Sequence, residues 1–222
     1  MTAPNGYTVV AIGEMAFSRI NEHETWYVTS VSIPNTVKRI DNQAFNNCIS
    51  LESLYFPGSV TAIGDYAFSS CNFSNMNFGS VKTIGENAFL NNKNLRQIVL
   101  TASVEEIAGY SFYDCVNLNT IICQGSTPPV CLGWPFSYNH ELENNGTTKL
   151  YVPAGATQAY RNAEVWKEFF TINEGGIPTG IESSWYEVRG AWYDLQGRRM
   201  EGQLKPGLYI VNGKKQIVRS YH

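Results

Sequence analysis

Apolar positions in the first half of the chain recur in long, regular blocks rather than at helical spacing or in simple alternation. The string Ile-Gly-x-x-Ala-Phe occurs at Ile12–Phe17, Ile63–Phe68 and Ile84–Phe89. Variants run from Ile40 to Phe45, with Asp41 for Gly, and from Ile107 to Phe112, with Ala108 and Ser111 for Gly and Ala. The anchoring phenylalanines Phe17, Phe45, Phe68, Phe89 and Phe112 are 28, 23, 21 and 23 residues apart. Cys follows three residues later in three units, at Cys48, Cys71 and Cys115. Six residues after Phe45, Phe89 and Phe112, Leu51, Leu95 and Leu118 open a Leu-x-x-Leu/Ile-x-apolar stretch. After Phe68 the equivalent is Phe73, only five on. A Val-x-x-Ile step then leads into the next unit, as at Val37/Ile40, Val60/Ile63, Val81/Ile84 and Val104/Ile107.

A unit of this length cannot bury its own apolar side, whereas stacked units share one continuous core. The pattern predicts one strand per unit, at Val28–Ile33, Leu51–Phe56, Phe73–Phe78, Leu95–Leu100 and Leu118–Cys123, paired in parallel into a solenoid. Gly13, Gly64 and Gly85 are expected to supply tight or left-handed backbone on the return side. Pro34 and Pro57 end their strands by withholding an N–H. The expected fold is mainly β with short helical or irregular returns.

Residues 125–174 read as the closing cap. Gly125-Ser126-Thr127-Pro128-Pro129 breaks the repeat, Leu150-Tyr151-Val152 is a last strand, and Tyr160, Ala163, Trp166 and Phe170 suit one face of a short helix. Residues 175–180 are a Gly/Pro linker. Residues 181–222 form a small antiparallel β module, with Asn212-Gly213 as its hairpin signal. The organisation is therefore 1–124 repeats (about five), 125–174 cap, 175–180 linker and 181–222 module.

The repeat resembles the BspA-type leucine-rich repeat over roughly residues 7–124, and Leu150 to Phe170 is similar to the closing unit of such proteins. An insertion at Asn21–Tyr27 departs from the pattern. The tail resembles the small β modules of type IX sorting domains; it is either a sorting signal or a piece that finishes the fold. The resemblance implies a surface or secreted protein of a Bacteroides-like bacterium that engages a host or neighbouring-cell protein. That places it at the cell surface, outside the cell or in the periplasm, although the N-terminus shows no signal peptide.

Composition narrows the function. A net charge of −3, with charged residues at only 16%, argues against a nucleic-acid partner. Asparagine, 21 residues of 222, fills part of the polar share. The tail alone is basic, with 7 Lys/Arg against 4 Asp/Glu. No apolar run is long enough for a membrane span. His23, His140 and His222 lie where no element fixes a partner, and no GxSxG, HExxH, P-loop or Rossmann pattern occurs. Hence neither an enzyme nor a cofactor is expected. The acidic pairs Glu105-Glu106 and Glu141/Glu143 read as solvated surface.

The five Cys are an odd number without CxxC spacing, which disfavours a disulfide framework or a four-Cys zinc site. Cys48, Cys71 and Cys115 read as small buried rungs. Disulfides Cys48–Cys71 and Cys123–Cys131 are the alternatives.

What remains is a surface. The middle positions of the strands point away from the core and form two rows. One is Ser32, Tyr55, Asn77, Val99, Ile122 and Tyr151; the other is Ser30, Ser53, Asn75, Gln97, Thr120 and Lys149. Exposed Val, Ile and Tyr among small polar residues suit protein contact. A glycan ligand is the rival reading and would need aromatic platforms, for which Tyr55, Tyr151 and Trp134 are the candidates. A structural spacer without a ligand is the other rival.

Overall fold

A computed structural model describes residues 8–18, 28–136 and 148–175, together with the backbone of strands 207–211 and 214–218. The chain divides into two compact units, Met1–Ile177 and Pro178–His222. The first is a parallel β-solenoid of six coils.

Six short strands line its return side: β1 (Ala11–Ile12), β3 (Arg39–Ile40), β5 (Ala62–Ile63), β7 (Thr83–Ile84), β9 (Glu106–Ala108) and β11 (Val130–Leu132). They pair in parallel, so that Ile12, Ile40, Ile63, Ile84, Ile107 and Cys131 form one inward ladder. The opposite side carries β2 (Ser30–Ser32) with β4 (Ser53–Tyr55). Beyond them β6 (Asn75–Asn77), β8 (Gln97–Leu100), β10 (Thr120–Cys123), β12 (Lys149–Val152) and β13 (Ile172–Glu174) form a separate five-stranded sheet. The break between β4 and β6 falls in the coil that is short, where Phe73 follows Phe68 after five residues rather than six.

Between these sides the phenylalanines stack. Phe17, Phe45, Phe68, Phe89, Phe112 and Phe136 lie ring on ring at 5.0–5.8 Å with interplanar angles of 5–17°. Phe56, Phe73 and Phe78 meet them edge-on or tilted. Offset and edge-to-face pairs of this kind add to what area burial alone contributes.

The sixth coil corrects the expectation that the cap starts at residue 125. Cys131-Leu132-Gly133-Trp134-Pro135-Phe136 follows the spacing of Ile107 to Phe112, and Val130 N–H donates to Glu105 C=O as the earlier coils do. Its apolar anchors are Cys and Pro where the pattern has Ile and Ala, which hides the repeat.

The cap is a short helix, α1 (Thr157–Asn162), followed by a 3₁₀ turn at Trp166–Glu168. The helix ends at Ala163, which is extended, and Val165 takes φ +71°. This break shifts the face by one residue: Phe169 is buried with Tyr160 and Trp166, while Phe170, expected inside, is 74% exposed. Tyr160 O–H donates to Gly125 C=O (2.9 Å) and Trp166 Nε1–H to Pro129 C=O (2.8 Å), fastening the cap to the last coil. The Glu174 carboxylate accepts from Gly155 N–H (2.5 Å) and from the Thr157 hydroxyl, and these bonds lower its pKa.

In the second unit β14 (Gly207–Val211) and β15 (Lys214–Val218) pair antiparallel, with Val211 opposite Lys214. That register leaves a two-residue connection at Asn212-Gly213, which itself lies outside the described residues, as does the 175–180 linker beyond Gly175.

The glycines also differ from expectation. Gly13, Gly64 and Gly85 are not left-handed; that conformation falls instead on Met15, Gln43, Tyr66, Asn87 and Tyr110, and on Asn47, Ser70, Asn91 and Asp114, two corners in each of the second to fifth coils. Gly64 and Gly85 answer a close approach. A Cβ at Gly64 would sit 2.7 Å from Asn42 N, and one at Gly85 would sit 2.6 Å from Asp65 Oδ1 and from the carbonyl carbon of Gly64. The space is used: Asn42 Oδ1 accepts Asp65 N–H (2.9 Å), and Asp65 Oδ1 accepts Glu86 N–H (2.8 Å). A small residue in one coil lets an amide or acid of the preceding coil hydrogen-bond across the stack.

Candidate functional site

The strand rows form as read in outline. Ser30 pairs with Ser53 and Ser32 with Tyr55; Asn75, Gln97, Thr120 and Lys149 are in register, as are Asn77, Val99, Ile122 and Tyr151. Their exposure is uneven. Tyr55 is 53% exposed, with Ser30, Ser32, Ser53 and Lys149 open around or beyond it. Asn75, Asn77, Thr120 and Tyr151 are half-buried.

Val99, Ile122 and Gln97 overturn the expectation of exposure. They are 4%, 1% and 8% exposed. Each sits on a central strand and loses surface to register neighbours on both sides: Val99 to Asn77 and Ile122, Ile122 to Val99 and Tyr151, Gln97 to Asn75 and Thr120. Tyr55 keeps its exposure because β4 pairs on one side only. Gln97 Nε2 has no hydrogen-bond partner.

The aromatic candidates do not converge. Tyr55 belongs to the two-stranded sheet and Tyr151 to the five-stranded one, whereas Trp134 follows β11 on the return side.

The cysteines occupy a position whose role the sequence reading missed. None of the five cysteines is in a disulfide, so neither Cys48–Cys71 nor Cys123–Cys131 is bridged. Cys48, Cys71 and Cys115 Sγ donate to the carbonyls of Phe17, Phe45 and Phe89, at 3.1, 3.4 and 3.2 Å, each in the preceding coil. Asn92 takes the same place in the fourth coil, its Nδ2 donating to Phe68 C=O and Phe89 C=O at 2.9 Å. The readable signal was Asn and Cys exchanging at one repeat position, since what they share is a short donor. Burial pushes the Cys115 thiol up to about 12 and raises Cys71 well above its ordinary value. Cys123 is raised by burial, and Cys131 reaches about 12 for the same reason. Thiols held neutral in this way are poor nucleophiles and poor metal ligands.

Among the described residues no group of three His, Cys, Asp or Glu is placed to hold a metal. His23, His140, His222 and the Glu141/Glu143 pair lie outside them. Glu105 pairs with Lys82 at 2.7 Å on open surface. No helix among the described residues is long and apolar enough to cross a membrane.

A solenoid of short parallel strands with stacked Ile and Phe ladders is a leucine-rich-repeat architecture. The family model for the BspA type leucine-rich repeat region matches residues 10–131 in six copies, and the chain belongs to that family. Among solved structures the chain is similar to the pneumococcal vaccine antigen PcpA, with 21% identity over 59% of this chain and a TM-score of 0.49. It is also similar to a leucine-rich repeat protein from Bacteroides ovatus ATCC 8483, with 21% identity over 78% of this chain and a TM-score of 0.41. The chain spans 34% of the first of these and 57% of the second. No curated protein matches the chain.

Proposed function

We propose that the chain is a non-enzymatic protein-binding module that works through its strand face, displayed at the cell surface or beyond it. Its partner would be an extracellular protein of a host or neighbouring cell. The observation that carries this is Tyr55, a large, half-open side chain among exposed serines at Ser30, Ser32 and Ser53. An amphipathic ring on a rigid backbone is the kind of anchor in which interface energy concentrates. The working surface is therefore the β2–β4 end of the strand face with Asn75 and Asn77 beside it, and Val99, Ile122 and Gln97 support it from within. Glycan capture is the weaker reading, because Tyr55, Tyr151 and Trp134 sit on three different sheets or sides and offer no common platform.

A binding screen against extracellular-matrix proteins and glycans tests this. For a protein ligand so found, Tyr55→Ala is expected to weaken binding by at least ~2 kcal/mol, about thirtyfold. The return-side double variant Lys82→Ala/Glu86→Ala is expected to bind as the parent does. The reverse outcome would move the site to the other face, and the absence of any ligand would favour a spacer.

A further inference from the structure

The two sides of the solenoid hold the second and third coils together unequally. On the return side Arg39 pairs with Ala62 and Ile40 with Ile63. Thr61 and Gly64 N–H donate to Lys38 and Ile40 C=O, and Gln43, Phe45 and Asn47 N–H donate to Asp65, Ala67 and Ser69 C=O, all at 2.8 Å.

On the strand side the ladder is interrupted. β2 pairs with β4 and β6 with β8, but β4 and β6 are not paired. In the later coils Arg96 N–H donates to Ser74 C=O (2.8 Å) and Asn119 N–H to Arg96 C=O (3.0 Å). By the same spacing Ser74 N–H would donate to Glu52 C=O, and Phe56 N–H to Asn77 C=O, as Phe78 N–H does to Val99 C=O (3.1 Å). Neither bond forms between these described residues. The slit so left runs from Asn72 N–H, which donates to Leu51 C=O (3.0 Å), to Gly79, where a Cβ would sit 3.2 Å from the Phe56 carbonyl oxygen.

The rings record a splay across the same two coils. Phe45 and Phe68 stack at 5.2 Å in the centre, whereas Phe56 and Phe78 on the strand side are 6.0 Å apart. What spans the slit is side-chain contact: Phe56 against Phe68 and Phe78, and Asn72 Nδ2–H donating to Glu52 Oε1 (3.3 Å). Hydrogen bonds fix distance and direction, whereas apolar packing is non-directional and lets rings slide.

We propose that the short third coil, in which Phe73 follows Phe68 after five residues rather than six, makes the slit between β4 and β6 a bending joint. The second coil tilts against the third about the unbroken return-side ladder, and the strand side opens and closes. Tyr55 stands on one lip and Asn75 and Asn77 on the other, so the tilt sets the span of the proposed working surface. The joint itself holds whether or not that surface takes a partner.

Amide relaxation dispersion measured by NMR on the full chain tests this, since bending of packed elements falls in the microsecond-to-millisecond range. Exchange broadening is expected at residues 52–56 and 74–78 and not at the paired residues 97–100 and 120–123. The Ser74 amide should also exchange with solvent at least tenfold faster than that of Arg96. Inserting one Asn between Asn72 and Phe73 restores the six-residue spacing; it is expected to abolish the broadening and to slow Ser74 exchange at least tenfold. Broadening absent from both lips, or equally strong at 97–100 and 120–123, would overturn the proposal, and that comparison needs no variant to fold. So would a folded insertion variant that keeps the broadening.

Discussion

Phe68 contacts four other rings, as Phe89 does, and truncating it gives a sharp stability test. It has no exposed surface and lies between Phe45 (5.2 Å, 5°) and Phe89 (5.3 Å, 17°). Phe56 and Phe73 meet it edge-on at 5.8 Å. Removing a buried phenyl costs its transfer energy plus a cavity, about 3–5 kcal/mol. Collapse is restrained here, because Phe45 N–H to Ala67 C=O and Phe68 N–H to Ala88 C=O, both 2.8 Å, hold the coils above and below at fixed spacing. The upper part of that range is therefore expected. Phe17→Ala is the internal comparison: one stacked partner and a half-open ring should make it about 1–2 kcal/mol. Urea unfolding followed by circular dichroism at 25 °C measures both. Since neighbouring coils support one another, Phe68→Ala should lower the whole transition rather than split it. A loss for Phe68→Ala no larger than that for Phe17→Ala would refute the stacked ladder.

Three further outcomes follow from local geometry. Gly64→Ala should destabilise by about 1–3 kcal/mol through contact with Asn42 and Asp41, whereas Gly13→Ala should change stability by less than about 0.5 kcal/mol; equal effects would contradict the coil spacing. Tyr66, exposed and at φ +54°, should tolerate Asn with a gain of about 0.5 kcal/mol in thermal unfolding, and a clear loss would contradict a left-handed corner there. The raised thiols set an alkaline limit. Unfolded cysteines release protons near 9.0, while Cys115 and Cys131 hold theirs to about 12. Between those values the unfolded chain binds fewer protons, so stability should be complete below pH 9 and fall as pH rises above it; a flat profile from pH 9 to 11 would contradict their burial.

The repeat made most of the fold readable. Ile, Ala and Phe at fixed offsets fix the inward rungs, and their period fixes the parallel pairing, so β2, β4, β6, β8 and β10 lie where the spacing puts them; the return-side strands β1, β3, β5, β7 and β9 add a second strand per coil where one was expected. The sixth coil escaped because Cys131 and Pro135 stand in for Ile and Ala, while the Pro128-Pro129 pair reads as a boundary although it only turns the chain into β11. The helix phase failed at Val165, where a positive φ in a β-branched residue has no sequence signal. The strand face was half readable. Alternation tells which way Val99 and Ile122 point, but exposure depends on whether a strand has one neighbour or two. The break that leaves β4 with one neighbour falls in the coil where Phe73 follows Phe68 after five residues rather than six.

The account rests on six coils joined in parallel by one backbone ladder, and native-state amide exchange resolved by NMR tests it most directly. Lys38, Thr61, Lys82, Glu105 and Val130 should be protected together, each being the donor from its coil to the one before. If Val130 is unprotected while the other four are protected, the sixth coil does not exist. If the inner four also differ widely, the coils do not form one stack.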